Sequence, residues 1–146
     1  MRHGNYMIYR FYSKEMNEYV TEFFLPDTDL RRRAFRLATI ASLKEKGYRV
    51  AGILYVDKEA YLNARLADTV QEYLCMDNQE QEVKSSYRKG LMTSDVAVKT
   101  LEMIQDRKWT LLKCIYSQVR RLVREDFTVE NEMALVLYDE YLKAIL

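Results

Sequence analysis

The 146-residue chain has few of the residues that mark easily recognised sites. It contains one histidine and two cysteines, Cys75 and Cys114. A disulfide-stabilised secreted protein needs more cysteines at closer spacing, and no second ligand stands near either cysteine at a spacing typical of zinc sites. We therefore predict free, buried thiols, a cytoplasmic protein, and neither a metal site nor a cofactor.

Other absences argue against an enzyme. The sequence has no glycine-rich phosphate loop, nucleophile elbow or zinc-binding helix motif. The histidine, His3, lies in a terminal Met-Arg-His-Gly stretch that we expect to be loose. Asp57, Glu59 and Asp68 follow a predicted strand, but carboxylates at a helix start are usually caps. We predict no catalytic residue and no small-molecule ligand.

Long apolar runs and a strong net charge are also missing. No stretch approaches the roughly 20 apolar residues that span a bilayer, and no signal-peptide pattern occurs. The net charge of +1 argues against binding nucleic acid or membranes through an overall field. A composition of 49% hydrophobic residues indicates a folded chain. The length predicts a single domain over residues 1–146. The lack of a long apolar run predicts no membrane partner.

Three stretches of the first half read as strands. YMIYRFY at 6–12 and EYVTEFFL at 18–25 are aromatic and β-branched, and SKEMN between them suits a hairpin loop. A helix over 14–24 is the alternative. YRVAGILYV at 48–56 predicts a third strand, which we place at the centre of the sheet.

Helices are predicted on both sides of the third strand. The first begins near Asp29 and ends at Gly47. Its small-residue stripe is predicted to pack on the sheet and comprises Leu30, Ala34, Leu37, Ala38 and Ala41. The second follows Asp57, and its predicted core face comprises Leu62, Leu66, Val70, Tyr73 and Leu74.

The second half of the chain reads as all helical. The polar stretch 77–93 is a loop or a solvated helix extension that connects a mixed half, 1–76, to a helical half, 94–146. We predict three helices there. The first is capped by Ser94, the second covers residues 107–126, and the third is capped by Thr128. The predicted fold class is α+β, mostly helical, with a small antiparallel sheet of about three strands and five or so helices.

Charge is segregated along the chain. Residues 31–49 and 107–124 each carry a net +6, whereas residues 57–82 carry −5 and the last helix −3. The candidate residues for binding an anion, a nucleic acid or an acidic partner are Arg31, Arg32, Arg33, Arg36, Lys113, Arg120, Arg121 and Arg124. The alternative is that basic and acidic faces meet within the fold or simply face water.

Three details bear on nucleic-acid binding. Arg31–Arg33 stand in the first turn of a helix, where the macrodipole disfavours cations, so a nearby anion is expected. The helix from Ser94 and the basic helix permit a helix-turn-helix arrangement. On the first strand, Tyr6, Ile8, Arg10 and Tyr12 share one face that either stacks bases or is covered as core by the helical half.

The last helix carries more apolar surface than a surface helix needs. Its apolar positions wrap more than half of residues 130–146, against an arc of about 100° for an ordinary amphipathic helix. This excess predicts central burial or an oligomer seam. The candidate interface residues are Leu135, Tyr138, Tyr141, Leu142 and Ile145.

The sequence thus favours a non-enzymatic protein-interaction or regulatory module that self-associates, as a homodimer, through its C-terminal helix. The alternative is a nucleic-acid-binding protein. It would contact the phosphate backbone through the basic helix 107–124 and the Arg31–Arg36 block.

Overall fold

The structure, a computed structural model, describes residues 6–146. The elements follow the order β1 (Tyr6–Ser13), β2 (Glu18–Phe24), α1 (Leu30–Glu45), β3 (Arg49–Val56), α2 (Lys58–Arg88), α3 (Ser94–Arg124) and α4 (Glu132–Ile145). The predicted α+β, mostly helical fold class is confirmed. The chain divides into two compact units, unit 1 up to Tyr61 and unit 2 from Leu62 to Leu146. The single domain remains a prediction, and His3 lies outside the described residues.

The three strands form one antiparallel sheet in the order β2-β1-β3. The predicted hairpin is confirmed, and the alternative helix over 14–24 is wrong. Asn17 takes the left-handed conformation at the turn, with φ 48°, which asparagine tolerates better than most residues. The prediction of a central third strand is wrong, because β1 is central and β3 forms an edge.

The core of unit 1 lies between α1 and one face of the sheet. Met7, Tyr9 and Phe11 alternate onto this face of β1 and are buried together with Phe24 and Leu43. The ring of Tyr9 meets that of Phe24 edge to face, with centroids 5.3 Å apart. Successive strand residues point to opposite faces, so a period of two selects these residues for the core.

The predicted packing stripe of α1 is wrong. Leu30, Leu37 and the three alanines of that stripe are exposed, and Leu43 is the buried residue of the helix. Ile40 and Leu43 turn toward the sheet instead, together with Arg36. The Arg36 Nη1 donates to the Tyr9 hydroxyl at 2.9 Å, and its other Nη forms an ion pair with Asp27. These partners allow the half-buried Arg36 to pack beside the apolar core.

The end of α1 follows the prediction. Gly47 has φ +89°, and its N–H donates to the Lys44 carbonyl at 3.0 Å. The next N–H, of Tyr48, donates to the Leu43 carbonyl at 3.0 Å. These two bonds form a Schellman motif, which satisfies carbonyls that the helix end leaves open.

Unit 2 is built on two long helices and a shorter one. Four of the five residues on the predicted face of α2 are buried, namely Leu62, Leu66, Val70 and Tyr73, and Leu74 is half-buried. The buried side chains of α3 are Ala97, Ile104, Leu111, Ile115, Val119 and Leu122. Their spacing of three, four or seven residues places them on one side of the helix. Ala134 and Leu137 are the buried residues of α4, which packs against α3.

The number and ends of the helices differ from the predictions. The helices predicted from Ser94 and over 107–126 are one helix, α3, so four helices replace five. The helix-turn-helix hypothesis is wrong because no turn interrupts α3 near Asp106. No glycine or proline follows Gly90 to impose one. The N-caps are Thr93 and Asn131 rather than Ser94 and Thr128.

The polar stretch 77–93 is mostly helical. Residues up to Arg88 continue α2, and Gly90, with φ +73°, ends it in a second Schellman motif. This matches the solvated helix extension rather than the loop. Glu80 within it is nevertheless buried, because it has basic and amide partners on the neighbouring helix. None of the helices in the described part of the chain is long and apolar enough to cross a membrane.

Candidate functional site

The basic face of α3 divides into an inner and an outer part. The inner part is Arg107 and Lys108, which bind carboxylates of α2 within unit 2. Lys108 Nζ lies 2.7 Å from Glu80 and 2.9 Å from Asp77, and Arg107 lies 2.8 Å from Glu72. For these two residues the basic and acidic faces do meet within the fold.

Glu80 is the centre of this network. Its carboxylate also accepts from Gln105 at 2.6 Å and pairs with Lys84 at 3.1 Å. The hydrogen bond from Lys108 holds the pKa of Glu80 below its usual value, against the opposing effect of burial. Burial alone would lower the pKa of Lys108, but its bonds to Glu80 and Asp77 outweigh burial and raise it. Both groups are therefore charged at neutral pH.

The outer basic face comprises Lys113, Arg120, Arg121 and Arg124, all of them exposed. Within the described residues 6–146, none of these four side chains has an ion-pair partner. Lys113 lies 5.7 Å from the ring centre of Trp109, and Arg120 lies 5.8 Å from that of Tyr116. Arg121 also lines a small hollow with Arg65 and Gln118. The outer basic face is thus open to solvent and to an anionic partner.

The Arg31–Arg36 block also divides. Arg31, Arg32 and Arg33 are exposed in the first turn of α1, which contains no acidic residue. Asp29 caps the helix, and its Oδ1 accepts from the Arg31 N–H at 2.9 Å. Arg36 differs from the other three because it binds Asp27 and Tyr9 within unit 1.

The candidate interface residues of α4 fall into two groups. Tyr138, Tyr141 and Leu142 are half-buried in unit 2. The rings of Tyr138 and Tyr141 lie 5.2 and 4.9 Å from that of Tyr116 on α3, measured between centroids. Leu135 and Ile145 are exposed. An oligomer seam along α4 remains a prediction, and the exposed pair marks where it would lie.

The largest departure from the predictions is the exposure of β3. Ile53 and Leu54 are 50% and 59% exposed, and Val50 and Tyr55 are exposed as well. A period of two cannot be read from an unbroken apolar run, so the sequence pattern does not indicate which residues are open. The position of β3 at the sheet edge, which the chain order alone does not determine, accounts for the exposure.

A second open surface lies on the sheet face opposite α1. Of the four residues predicted on that face of β1, Tyr6, Ile8 and Tyr12 are half-buried and Arg10 is exposed. The register adds Tyr19 of β2 and Arg49 of β3 on either side of Tyr12. Neither residue was predicted on this face, because only the strand pairing brings them together.

Within residues 6–146, the residues considered for catalysis do not form a site. Asp57 has a structural role, and Asp68, Cys75 and Cys114 are not brought together with other reactive groups there. Asp57 Oδ1 accepts from the Ala60 N–H at 2.8 Å and so caps α2. Burial raises the pKa of the Asp68 carboxyl, as does neighbouring Glu72, whereas Arg65 opposes the rise. The thiols of Cys75 and Cys114 are free, as predicted, but exposed rather than buried. Among the described residues, no three His, Cys, Asp or Glu side chains cluster as metal ligands.

Comparison with known proteins adds no family to this picture. The chain matches no protein-family model, no curated protein and no solved structure.

Proposed function

We propose that the protein is a non-enzymatic protein-interaction module that self-associates as a homodimer through unit 1. The observation that carries the proposal is the edge strand β3, which is apolar, exposed and unprotected. We define the edge surface as Val50, Ile53 and Tyr55 of β3 with Leu30 and Leu37 of α1. The self-association is that expected from the sequence, but this surface replaces α4 as its leading site.

The two edges of the sheet are protected to different degrees. The β2 edge carries Glu18 and Glu22, and charged side chains on an edge disfavour pairing with another chain. From Val50 to Val56, β3 carries neither charge nor proline. Within the described residues, its outer edge pairs with no strand. A long apolar edge of this kind offers unpaired N–H and C=O groups to a partner strand.

The exposed leucines of α1 extend this edge into a wider apolar surface. Phe35, Thr39 and Lys46 line a hollow with Glu22, so this flank of α1 lies toward β2. Leu30 and Leu37 lie on the opposite flank, toward β3, and are 83% and 53% exposed. Val50, Ile53 and Tyr55 point to the same side of the sheet as α1, since they pair with Phe11, Tyr9 and Met7.

A second copy of the chain is the partner that best fits this surface. An antiparallel strand pair is self-complementary about a twofold axis, so β3 of each copy would satisfy the other. The uncharged run Val50–Val56 brings no like charges together across that axis. The resulting six-stranded sheet would end on both sides at β2. The charged β2 edges favour a closed dimer over a growing fibre.

The test is the molar mass of the protein by light scattering, for the wild type and for Ile53→Lys. We expect a wild-type dimer and a folded monomeric variant, because a lysine on the edge surface would be desolvated in the dimer. Met103→Lys is the matched control, since Met103 is exposed on α3 in unit 2. Its mass should equal that of the wild type.

Two outcomes would contradict this surface. If the wild type stays monomeric across the accessible concentration range, the protein does not self-associate. If the Ile53→Lys variant is still a dimer, β3 is not part of the interface. In that case Leu135→Asp, on the exposed side of α4, tests the seam predicted from the sequence, because Leu135 is exposed and its substitution should not disturb folding.

Nucleic-acid binding through the outer basic face is a second candidate function. It is supported by the exposure of Lys113, Arg120, Arg121 and Arg124 without ion-pair partners among the described residues. Each phosphate contact should add close to one unit to the dependence of log affinity on log salt concentration. The double variant Arg120→Glu/Arg124→Glu should therefore lower both the affinity for duplex DNA and this salt dependence.

The free cysteines bear on where the protein works. We propose a cytoplasmic location because Cys75 and Cys114 are both exposed and unpaired. Exposed thiols persist in a reducing compartment and become oxidised outside it.

A further inference from the structure

We propose that the sheet face opposite α1 binds single-stranded nucleic acid on an aromatic platform formed by Tyr12, Tyr19, Arg10 and Arg49. The proposal is independent of self-association, because the platform and the edge surface use opposite faces of the sheet. It is also independent of the outer basic face, which belongs to unit 2.

The strand register assembles the platform from all three strands. Tyr12 lies opposite Tyr19 on one side and Arg49 on the other, and the adjacent row contains Thr21, Arg10 and Gly52. Directly opposed residues of antiparallel strands point to the same face, so these six residues share one surface. None of the six is acidic.

The Tyr12 and Tyr19 rings contact each other at a tilt of 36°, and Arg10 lies over the Tyr19 ring. The Tyr12 and Tyr19 ring centroids are 4.7 Å apart, and the Arg10 guanidinium carbon lies 4.3 Å from the Tyr19 centroid. The Tyr12 hydroxyl donates to Asn17 Oδ1 at 3.0 Å, which fixes the orientation of its ring. Tyr19 is 54% exposed. An aromatic ring that is open to solvent offers a face on which a base stacks.

The space around the platform suits a nucleotide. A Cβ at Gly52 would meet no atom within 4 Å, so the platform is open beside Arg10. Tyr12 and Arg49 also line a hollow together with Lys14, Glu15 and Gly47. Arg49 and Lys14 provide charge for a phosphate there, opposed by Glu15. Glu18, next to Tyr19 in the chain, instead accepts a hydrogen bond from the Tyr48 hydroxyl at 3.2 Å, on the α1 side.

At the opposite end of the same sheet face, the aromatic rings are packed against α2 and not exposed. There Tyr6 and Phe23 pack against Tyr61 of α2, with ring centroids 4.8 and 5.8 Å apart, respectively. Those aromatic rings are accounted for by burial within unit 1. Tyr19 and Arg10 are exposed, so packing does not account for them, and their chemistry is that of base stacking and phosphate contact.

The test measures fluorescence anisotropy of labelled oligouridine, oligodeoxythymidine and a duplex of equal length, at low and moderate salt. We expect both single strands to bind more tightly than the duplex, whose bases are stacked on one another and cannot reach the rings. Tyr19→Leu should weaken single-strand binding about tenfold, which corresponds to one base that no longer stacks. Tyr19→Phe should restore it, because stacking needs the ring and not the hydroxyl.

The salt dependence separates the platform from the outer basic face. Arg10→Gln/Arg49→Gln should lower the slope for single strands by about 0.7 for each phosphate that the variant no longer binds. Arg88→Gln/Lys89→Gln, a matched pair of exposed basic residues near the end of α2 that neither surface uses, should leave it unchanged. Binding to either sugar supports the proposal, and a preference for RNA would add contacts to the 2′-hydroxyl.

Three results would overturn the platform: no binding to either single strand, single-strand affinity that Tyr19→Leu leaves intact, or duplex affinity that Tyr19→Leu weakens to the same extent. Because Tyr19 is exposed, the circular dichroism of this variant should equal that of the wild type. If the circular dichroism of Tyr19→Leu is weaker than that of the wild type, the Arg10→Gln/Arg49→Gln variant provides the test instead, because Arg10 and Arg49 are exposed as well.

Discussion

The two basic helices α1 and α3 distribute their apolar residues in opposite ways. α3 buries six side chains along one side, and its basic residues stand largely on the other. α1 buries only Leu43 and leaves Leu30, Phe35 and Leu37 exposed. The fold of unit 2 therefore accounts for the amphipathic pattern of α3. The fold of unit 1 does not account for that of α1, whose large apolar side chains remain exposed within the described part of the chain.

The arginines of the two helices also differ in how the helix dipole affects them. Arg121 and Arg124 lie in the last turn of α3, where the helix dipole favours cations. Arg31–Arg33 lie in the first turn of α1, where the dipole disfavours them and no carboxylate of that turn compensates. The arginines of α3 are favourable without a ligand. Those of α1 carry an electrostatic cost of a few tenths of a kcal/mol each that an acidic partner would remove.

The largest expected effect contrasts Ile115→Ala in α3 with Leu37→Ala in α1. Ile115 is fully buried, so its truncation should lower the free energy of unfolding by about 4 kcal/mol. Leu37 is exposed, and its truncation should cost less than about 0.5 kcal/mol in the monomer. Denaturant unfolding measures both. Trp109, the single tryptophan, reports on unit 2, and circular dichroism reports on the whole chain.

Leu37→Ala should in addition weaken the dimer. A large decrease in monomer stability in this variant would mean that Leu37 is buried within the chain, and the contrast between α1 and α3 would fail. A small decrease from Ile115→Ala would mean that α3 is not the centre of unit 2.

The next effect compares the inner basic residues of α3 with each other. Lys108→Met removes the shorter of the two ion pairs of buried Glu80 and leaves it only Gln105 and the half-exposed Lys84. It should cost about 2 kcal/mol, because a buried carboxylate that loses a charged partner is unfavourable. Arg107→Gln breaks an ion pair of half-exposed side chains and should cost less than about 1 kcal/mol. Tryptophan fluorescence in urea compares the two. Equal costs would show that burial of Glu80 does not strengthen its interaction with Lys108.

The same pair sets a pH dependence. The pKa of Glu80 is lowered from 4.5, so its contribution to stability is present above that value and is lost as the pH falls through the folded-state pKa. The pKa of Lys108 is raised from 10.5, so its contribution is complete below that value and is lost at more alkaline pH. Lys108→Met should flatten the acid limb of wild-type stability, and an unchanged limb would assign acid unfolding to other carboxylates.

Sequence patterns predicted the elements better than their surroundings. The hairpin, the end of α1 at Gly47 and the buried face of α2 each depend on residues close in the chain, and all were found. The position of β3 depends on which side of β1 it pairs with, and no residue within β3 encodes that choice. The division of the basic face of α3 depends on Glu80 and Asp77, about 30 positions away, in a stretch that composition alone marks as solvated.

The smallest effect concerns how the helices end. The left-handed residue that follows the C-cap of α1 is Gly47, whereas the one that follows the C-cap of α3 is Asp126, with φ 61° in the same Schellman geometry. Left-handed backbone is unfavourable for an L-residue with a side chain, and a carboxylate at a helix C-terminus opposes the dipole. Asp126→Gly should therefore stabilise unit 2 by about 0.5 kcal/mol, and Gly90→Asp, at the end of α2, should destabilise it by a similar amount. Opposite shifts of the urea midpoint, monitored by Trp109, are expected. A destabilised Asp126→Gly would mean that the Asp126 side chain makes a favourable contact that outweighs the backbone strain.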